Sequence, residues 1–144
     1  MGAAKWAKSQ GAAIIFVTGR PSVMNIYTQI NLTSVGYPVD GLYGGGLTTG
    51  SSGAGALADY KTATRASIEA QGYTIVANNG NRASDLSGGH ALQTFKLPDC
   101  NGAPGRTRRA SGTAASWPSS CSRWSPTAGV SLSVAAGGSP TTTG

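Results

Sequence analysis

The stretch Ala12-Ala13-Ile14-Ile15-Phe16-Val17-Thr18-Gly19-Arg20-Pro21 decides the fold. Its first six residues are apolar without a break, and Ile14, Ile15 and Val17 are β-branched. A run that is continuous instead of alternating suits a strand buried on both faces of a parallel sheet. Thr18-Gly19-Arg20 reads as the turn that leaves the strand. Pro21 suits the first position of a following helix, where its missing N–H costs nothing. Val23, Ile26, Tyr27 and Ile30 recur at helical spacing and mark one apolar face, with Gly36 as the stop. Upstream, residues 3–10 read as the last turns of a helix that ends at Gly11.

Downstream, residues 41–57 are rich in glycine and serine and read as a flexible loop. Asp59 is a candidate N-cap for a helix over residues 60–71, with Tyr60, Ala63, Ser67 and Ile68 on one face. Residues 73–77 predict a second strand and residues 78–81 a turn. A short helix follows from Ala83 towards Leu86. Residues 93–97 predict a third strand, closed by Pro98. Strands alternating with helices argue for an α/β fold built from βαβ units.

The pattern dissolves after residue 100. Gly, Ala, Ser, Thr and Pro make up 33 of the last 44 residues. Such a segment buries too little apolar surface to offset its ordering entropy. The division is therefore a core over residues 1–100 and a low-complexity, disordered tail over 101–144. The contrast between them also fits a tail translated in a non-native frame.

Charge follows the same division. Residues 1–100 carry seven bases against five acids, whereas the tail carries Arg106, Arg108, Arg109 and Arg123 with no acid. Four arginines without lysines or interleaved aromatics are a weak nucleic-acid footprint, so nucleic acid is not the expected partner. Cys100 and Cys121 stand in no metal-ligand spacing, and a disulfide between them would tie the core to a tail that reads as unstructured, so none is expected. No segment approaches the roughly 20 apolar residues of a membrane span. The first residues do not read as a signal peptide.

Three polar clusters carry chemistry. Thr18-Gly19 closes a strand and offers a hydroxyl and backbone N–H groups to an anion; an ordinary strand-to-helix turn accounts for it equally. Lys61 is placed in the first turn of the 60–71 helix, where the macrodipole is already positive. That position asks for a nearby anion, or else the lysine is simply solvated. Arg65, one turn later, reads as a surface or ion-pair residue. In Asn79-Gly80-Asn81-Arg82-Ala83-Ser84-Asp85, a side-chain oxygen precedes a carboxylate by four residues. That pair can help hold Mg²⁺, or Asp85 caps the next helix. In open parallel sheets all three positions converge at the carboxyl ends of the strands. His90, the single histidine, reads as a surface residue in a glycine-flanked loop. Asn31-Leu32-Thr33 is a glycosylation sequon inside a predicted helix, and Gly44-Gly45-Gly46 is a linker without the lysine of a P-loop.

Taken together, these clusters resemble the haloacid-dehalogenase (HAD) superfamily, specifically its class B and plant-type acid phosphatases. The resemblance is carried by residues 14–21, by Tyr60-Lys61-Thr62-Ala63-Thr64-Arg65 and by residues 72–81. Ser84-Asp85-Leu86 and Phe95-Lys96-Leu97-Pro98 add to it. It implies a partial three-layer Rossmannoid sheet and hydrolysis of small phosphomonoesters through an aspartyl-phosphate, with Mg²⁺ as cofactor. It also implies that Thr18 and Gly19 bind phosphate, that Lys61 neutralises charge as a catalytic residue, and that Asp85 and Asn81 belong to the metal site. Such enzymes are commonly secreted or held in the cell envelope. Two departures stand out. Asn81 replaces the family's aspartate, and no Asp-x-Asp nucleophile pair occurs. The family runs the nucleophile strand centrally, between the strands bearing Thr18 and Asn81. Without it, the backbone groups orphaned on two buried strands cost about 1–3 kcal/mol each, and the core is expected to be marginal. An inactive fragment, a non-catalytic storage-type relative and a nucleotide- or RNA-binding module are the three readings that remain.

Overall fold

The computed structural model describes residues 2–47, 53–97 and 130–137. Helix α1 (Gly2–Ser9) leads into β1 (Ala13–Pro21), a 3-10 turn (Ser22–Met24) and α2 (Asn25–Ser34). Then come β2 (Gly41–Gly45), α3 (Gly53–Ala70), β3 (Thr74–Gly80), α4 (Ala83–Leu86), β4 (Gln93–Lys96) and β5 (Val130–Ala136). The strands form one sheet in the order β2-β1-β5-β3-β4. β1 pairs parallel with β2, and β3 parallel with β4. β5 runs antiparallel between β1 and β3.

Three layers result. Ile14 and Phe16 of β1 join Val130 and Leu132 of β5, Ala4 and Ala7 of α1, and Leu32 of α2 in one cluster. Ile15 and Val17 point the other way and meet Ile68 of α3, Ile75 of β3 and Ala135 of β5. An unbroken apolar run therefore feeds both faces, which is why β1 carries no polar residue before Thr18. The α/β core stands as the sequence indicates.

The largest difference lies in the segment expected to be disordered. Val130–Ala136 is a strand, and it occupies the central slot. Its ladder runs from Ala13↔Ala135 to Thr18↔Val130 on one side and from Thr74↔Ala136 to Asn79↔Leu132 on the other. The donors and acceptors expected to be orphaned on β1 and β3 are thus paired. A signal was present: Val130-Ser131-Leu132-Ser133-Val134 alternates with period two, as a strand does. The surrounding Ser/Thr/Gly composition masked it. The rest of the tail, with its arginines and Cys121, lies outside the described residues, as does Cys100 just before it.

Smaller corrections follow the same logic. The expected loop at 41–57 contains edge strand β2, because a parallel partner supplies what its glycines lack in propensity. Its last residues open α3, so Asp59 lies inside that helix and caps nothing. The face α3 buries is Leu57, Lys61, Thr64, Arg65 and Ile68, while Ala63 and Ser67 face outward. In α2, Thr28 and Leu32 are buried, whereas Val23, Ile26, Tyr27 and Ile30 are each more than half exposed. Periodicity tells which residues share a face but not what that face meets. Here α2 lies along the glycine-rich edge strand and buries only a narrow stripe.

Candidate functional site

β1 and β3 are parallel to each other because both are antiparallel to β5. Their carboxyl ends therefore share one rim. Thr18 ends the regular part of β1 there, before the ladder shifts register towards Pro21. Asn78 and Gly80 end β3, and Val130 begins β5 between them. With β5 interposed, the two parallel strands stand about 10 Å apart, twice the strand spacing.

Lys61 and Asp85 form the centre of the site. Both side chains are fully buried, and the Lys61 ammonium donates to Asp85 Oδ1. The other carboxylate oxygen, Oδ2, accepts the Arg82 N–H at 2.9 Å, and the Asp85 N–H donates back to the Arg82 carbonyl at 3.0 Å. Asp85 therefore also closes the first turn of α4, combining the two roles its position allowed. Gly80 makes this possible. A Cβ on Gly80 would lie 2.1 Å from Asp85 Cβ, so only glycine lets α4 fold back onto the end of β3.

Arg65 is fully buried as well, which corrects its reading as a surface residue. Its guanidinium donates to the main-chain carbonyls of Asp85 at 3.0 Å and Gly89 at 3.4 Å, and also to that of Ser87. The planar fork thus gathers the 85–89 loop against α3. Asn78 adds a second tether, its Nδ2 donating to the Asp85 carbonyl at 2.6 Å. Ser133 of β5 donates to Asn78 Oδ1 at 3.4 Å. One polar network therefore joins α3, α4, β3 and the central strand.

Burial pulls the Lys61 ammonium below its ordinary pKa, opposed by the Asp85 carboxylate and reinforced by Arg65 and Arg82. Burial likewise lowers Arg65, against the attraction of Asp85 and Glu69. The helix-dipole argument for Lys61 does not hold. α3 begins at Gly53, so Lys61 lies two turns inside it, and its distinction is its burial.

The remaining predicted residues occupy the same rim without joining this network. The Thr18 hydroxyl accepts the Arg20 N–H at 3.2 Å. Thr18 follows Ile14 and Phe16 in the strand alternation, on the α1/α2 face, whereas Lys61 and Asp85 lie on the α3 face. Gly19 packs beneath Leu57 of α3. Asn81 is half-buried beyond the end of β3. His90, a non-glycine residue at φ +62°, is more than a surface residue: its Nδ1 lies 2.6 Å from Glu69 Oε2 and fastens the same loop to α3.

In the slot where a nucleophile strand would run, Val130 and Ser131 stand beside Thr18 and Val17. Ser131 is fully buried and donates to the Val17 carbonyl at 3.2 Å. The residues present fit a divalent cation poorly. Magnesium takes near-octahedral oxygen donors and keeps several waters. Asp85 is a single carboxylate, has no exposure to solvent, and has both oxygens engaged. Among the described residues, no three His, Cys, Asp or Glu side chains gather.

A Rossmannoid sheet with a buried lysine and an aspartate at one carboxyl rim is the architecture of the HAD phosphatases. Residues 3–103 match the family described as HAD superfamily, subfamily IIIB (acid phosphatase), and the chain belongs to it. Members of the superfamily generally use Mg²⁺. Among curated proteins, the chain is 39% identical over 103 residues to the Stem 28 kDa glycoprotein and to the Stem 31 kDa glycoprotein, both of Glycine max. Those matches cover 63% of this chain but only 36% and 32% of the two relatives, so the chain spans about a third of their length. No solved structure matches. No helix among the described residues is long and apolar enough to cross a membrane.

Proposed function

We propose that this chain carries the phosphate-site half of a phosphomonoester hydrolase and turns over no phosphomonoester by itself. The observation that carries the reading is the occupant of the central slot. Where the family's chemistry needs an aspartate to attack phosphorus, β5 brings Val130 and Ser131, and Ser131 is committed to the Val17 carbonyl. The chain's five acids form no Asp-x-Asp pair. Thr18, Gly19 and Lys61 are the residues that would recognise a phosphate, through a hydroxyl, backbone N–H groups and an ammonium. The substrate class of the whole protein is a small phosphomonoester.

The buried network favours a second reading, in which the chain is a non-catalytic, storage-type relative of the same fold. Among the described residues, Lys61, Arg65, Asn78 and Asp85 bond to one another and to neighbouring main-chain groups, as a structural staple does. Release of p-nitrophenol from p-nitrophenyl phosphate, at acidic pH with Mg²⁺, should not exceed the protein-free blank. Turnover that disappears in Lys61→Ala would overturn the inactive reading. The gene upstream of Met1 separates the two alternatives: an Asp-x-Asp strand encoded there favours a fragment, and its absence favours the storage-type relative.

A further inference from the structure

We infer that the Lys61–Asp85 ion pair closes the family's metal position in this chain, its ammonium taking the charge role that a divalent cation would hold. The inference rests on the family reading, which identifies Asp85 with the metal site, and goes beyond it by assigning what stands there instead.

Three features support it. Both oxygens of Asp85 are already satisfied, one by an ammonium and one by the Arg82 N–H. A cation approaching either oxygen must enter a fully buried site and compete with an ammonium or an N–H already bonded there. Asp85 also has no surface open to solvent, so the several waters that magnesium retains cannot reach it without a rearrangement. Finally, the local charge opposes entry. Lys61, Arg65 and Arg82 all act on or bond to Asp85, and among the described residues only Glu69 is seen to offset any of them, through Arg65. Asp40 pairs with Lys8 and Glu69 with His90, so neither turns towards Asp85. Asn81 offers an amide oxygen but no charge. A buried cation fixed by the fold thus replaces one drawn from solution, and the pair works as a staple between α3 and α4.

The test is binding of Mn²⁺, a spectroscopic substitute for Mg²⁺, read from the loss of the free-ion paramagnetic resonance signal. The full chain should leave the millimolar Mn²⁺ signal unchanged. Lys61→Met uncovers Asp85 and should bind Mn²⁺ at least about tenfold more tightly, and Lys61→Met with Asp85→Asn should lose that gain. Lys61→Gln keeps a polar group in place and serves if the methionine variant does not fold. Saturable binding to the wild-type chain that disappears in Asp85→Asn overturns the inference. So does a folded Lys61 variant that gains no affinity. The readout is binding and not turnover, so metal held at Asp85 without hydrolysis refutes this inference and leaves the proposed function intact. Hydrolysis that depends on Lys61 refutes the proposed function instead.

Discussion

Replacing Leu132 with alanine tests whether the C-terminal strand really supports the sheet. Leu132 is 8% exposed and packs with Ile14, Phe16 and Val130. It lies at the middle of the sheet, opposite Phe16 on β1 and Asn79 on β3. Truncating a buried leucine to alanine costs about 2–5 kcal/mol, because the cavity adds to the lost transfer energy. Some residual exposure and the room to relax at a small-residue strand place this site near about 2–3 kcal/mol. For a folded unit of roughly 100 residues, that lowers Tm by about 10–20 °C. It is also a large share of a typical stability of about 5–15 kcal/mol. Urea and thermal melts followed by far-UV circular dichroism measure it, with an unchanged urea m-value showing that the unfolded state is comparable. Leu47→Ala is the control: Leu47 is 77% exposed, and its loss should stay within about 0.5 kcal/mol. If residues 130–136 lay outside the sheet, Leu132→Ala would behave like the control. Superimposable melts would therefore refute the central strand, and with it the account of what pairs β1 and β3 in the middle of the sheet.

Two further outcomes follow from the buried network. Arg65→Lys keeps the charge but loses the fork, so the Gly89 carbonyl loses the guanidinium donor and the Ser87 carbonyl is left with the Thr62 hydroxyl at 3.3 Å. It should cost about 2–3 kcal/mol and speed amide exchange across residues 85–90, read by hydrogen-exchange mass spectrometry. The folded state holds Lys61 below its ordinary pKa of 10.5, so between that lowered value and 10.5 the unfolded chain binds more protons. The Lys61 contribution to stability should therefore rise with pH through this window and be flat below it. Tyr37 and Tyr60, raised above 10.0 by burial, act in the opposite direction once the unfolded chain ionises there. The comparison is therefore the difference between wild type and Lys61→Met in urea melts from neutral to alkaline pH. A difference that does not change with pH would contradict the desolvated lysine.

Much of the fold was legible because local rules acted alone. Residues 12–17 could only be a two-sided strand, and Gly11, Gly36 and Gly72 stop helices at left-handed φ. Lys61 and Asp85 were both singled out, and the structure brings them into contact. Their reasons were less legible. Lys61 was placed in a first helical turn because residues 41–57 concealed where α3 begins. Arg65 was missed because a guanidinium bonded to carbonyls of a loop 20 or more residues away leaves no local signature. A lysine and an arginine four apart on a helix read as solvated until the surface they face is known. The α2 stripe failed in the converse way, since its apolar residues share a face that meets nothing in the described chain.

The sequence alone determined the α/β class, the order of the elements up to residue 97 apart from edge strand β2, the family and the absence of an aspartate pair. Those depend on residue identity and short-range spacing. Only the tertiary structure decided what fills the middle of the sheet and what Asp85 is bonded to. Strand pairing is a long-range choice: β1 and β3 present unpaired backbone groups to whichever segment can reach them. Seven residues from the far end of the chain, five of them alternating valine or leucine with serine, satisfy those groups in the antiparallel sense. Burial then couples the rest, because a carboxylate shut away from water must take the nearest cation, and that cation is Lys61.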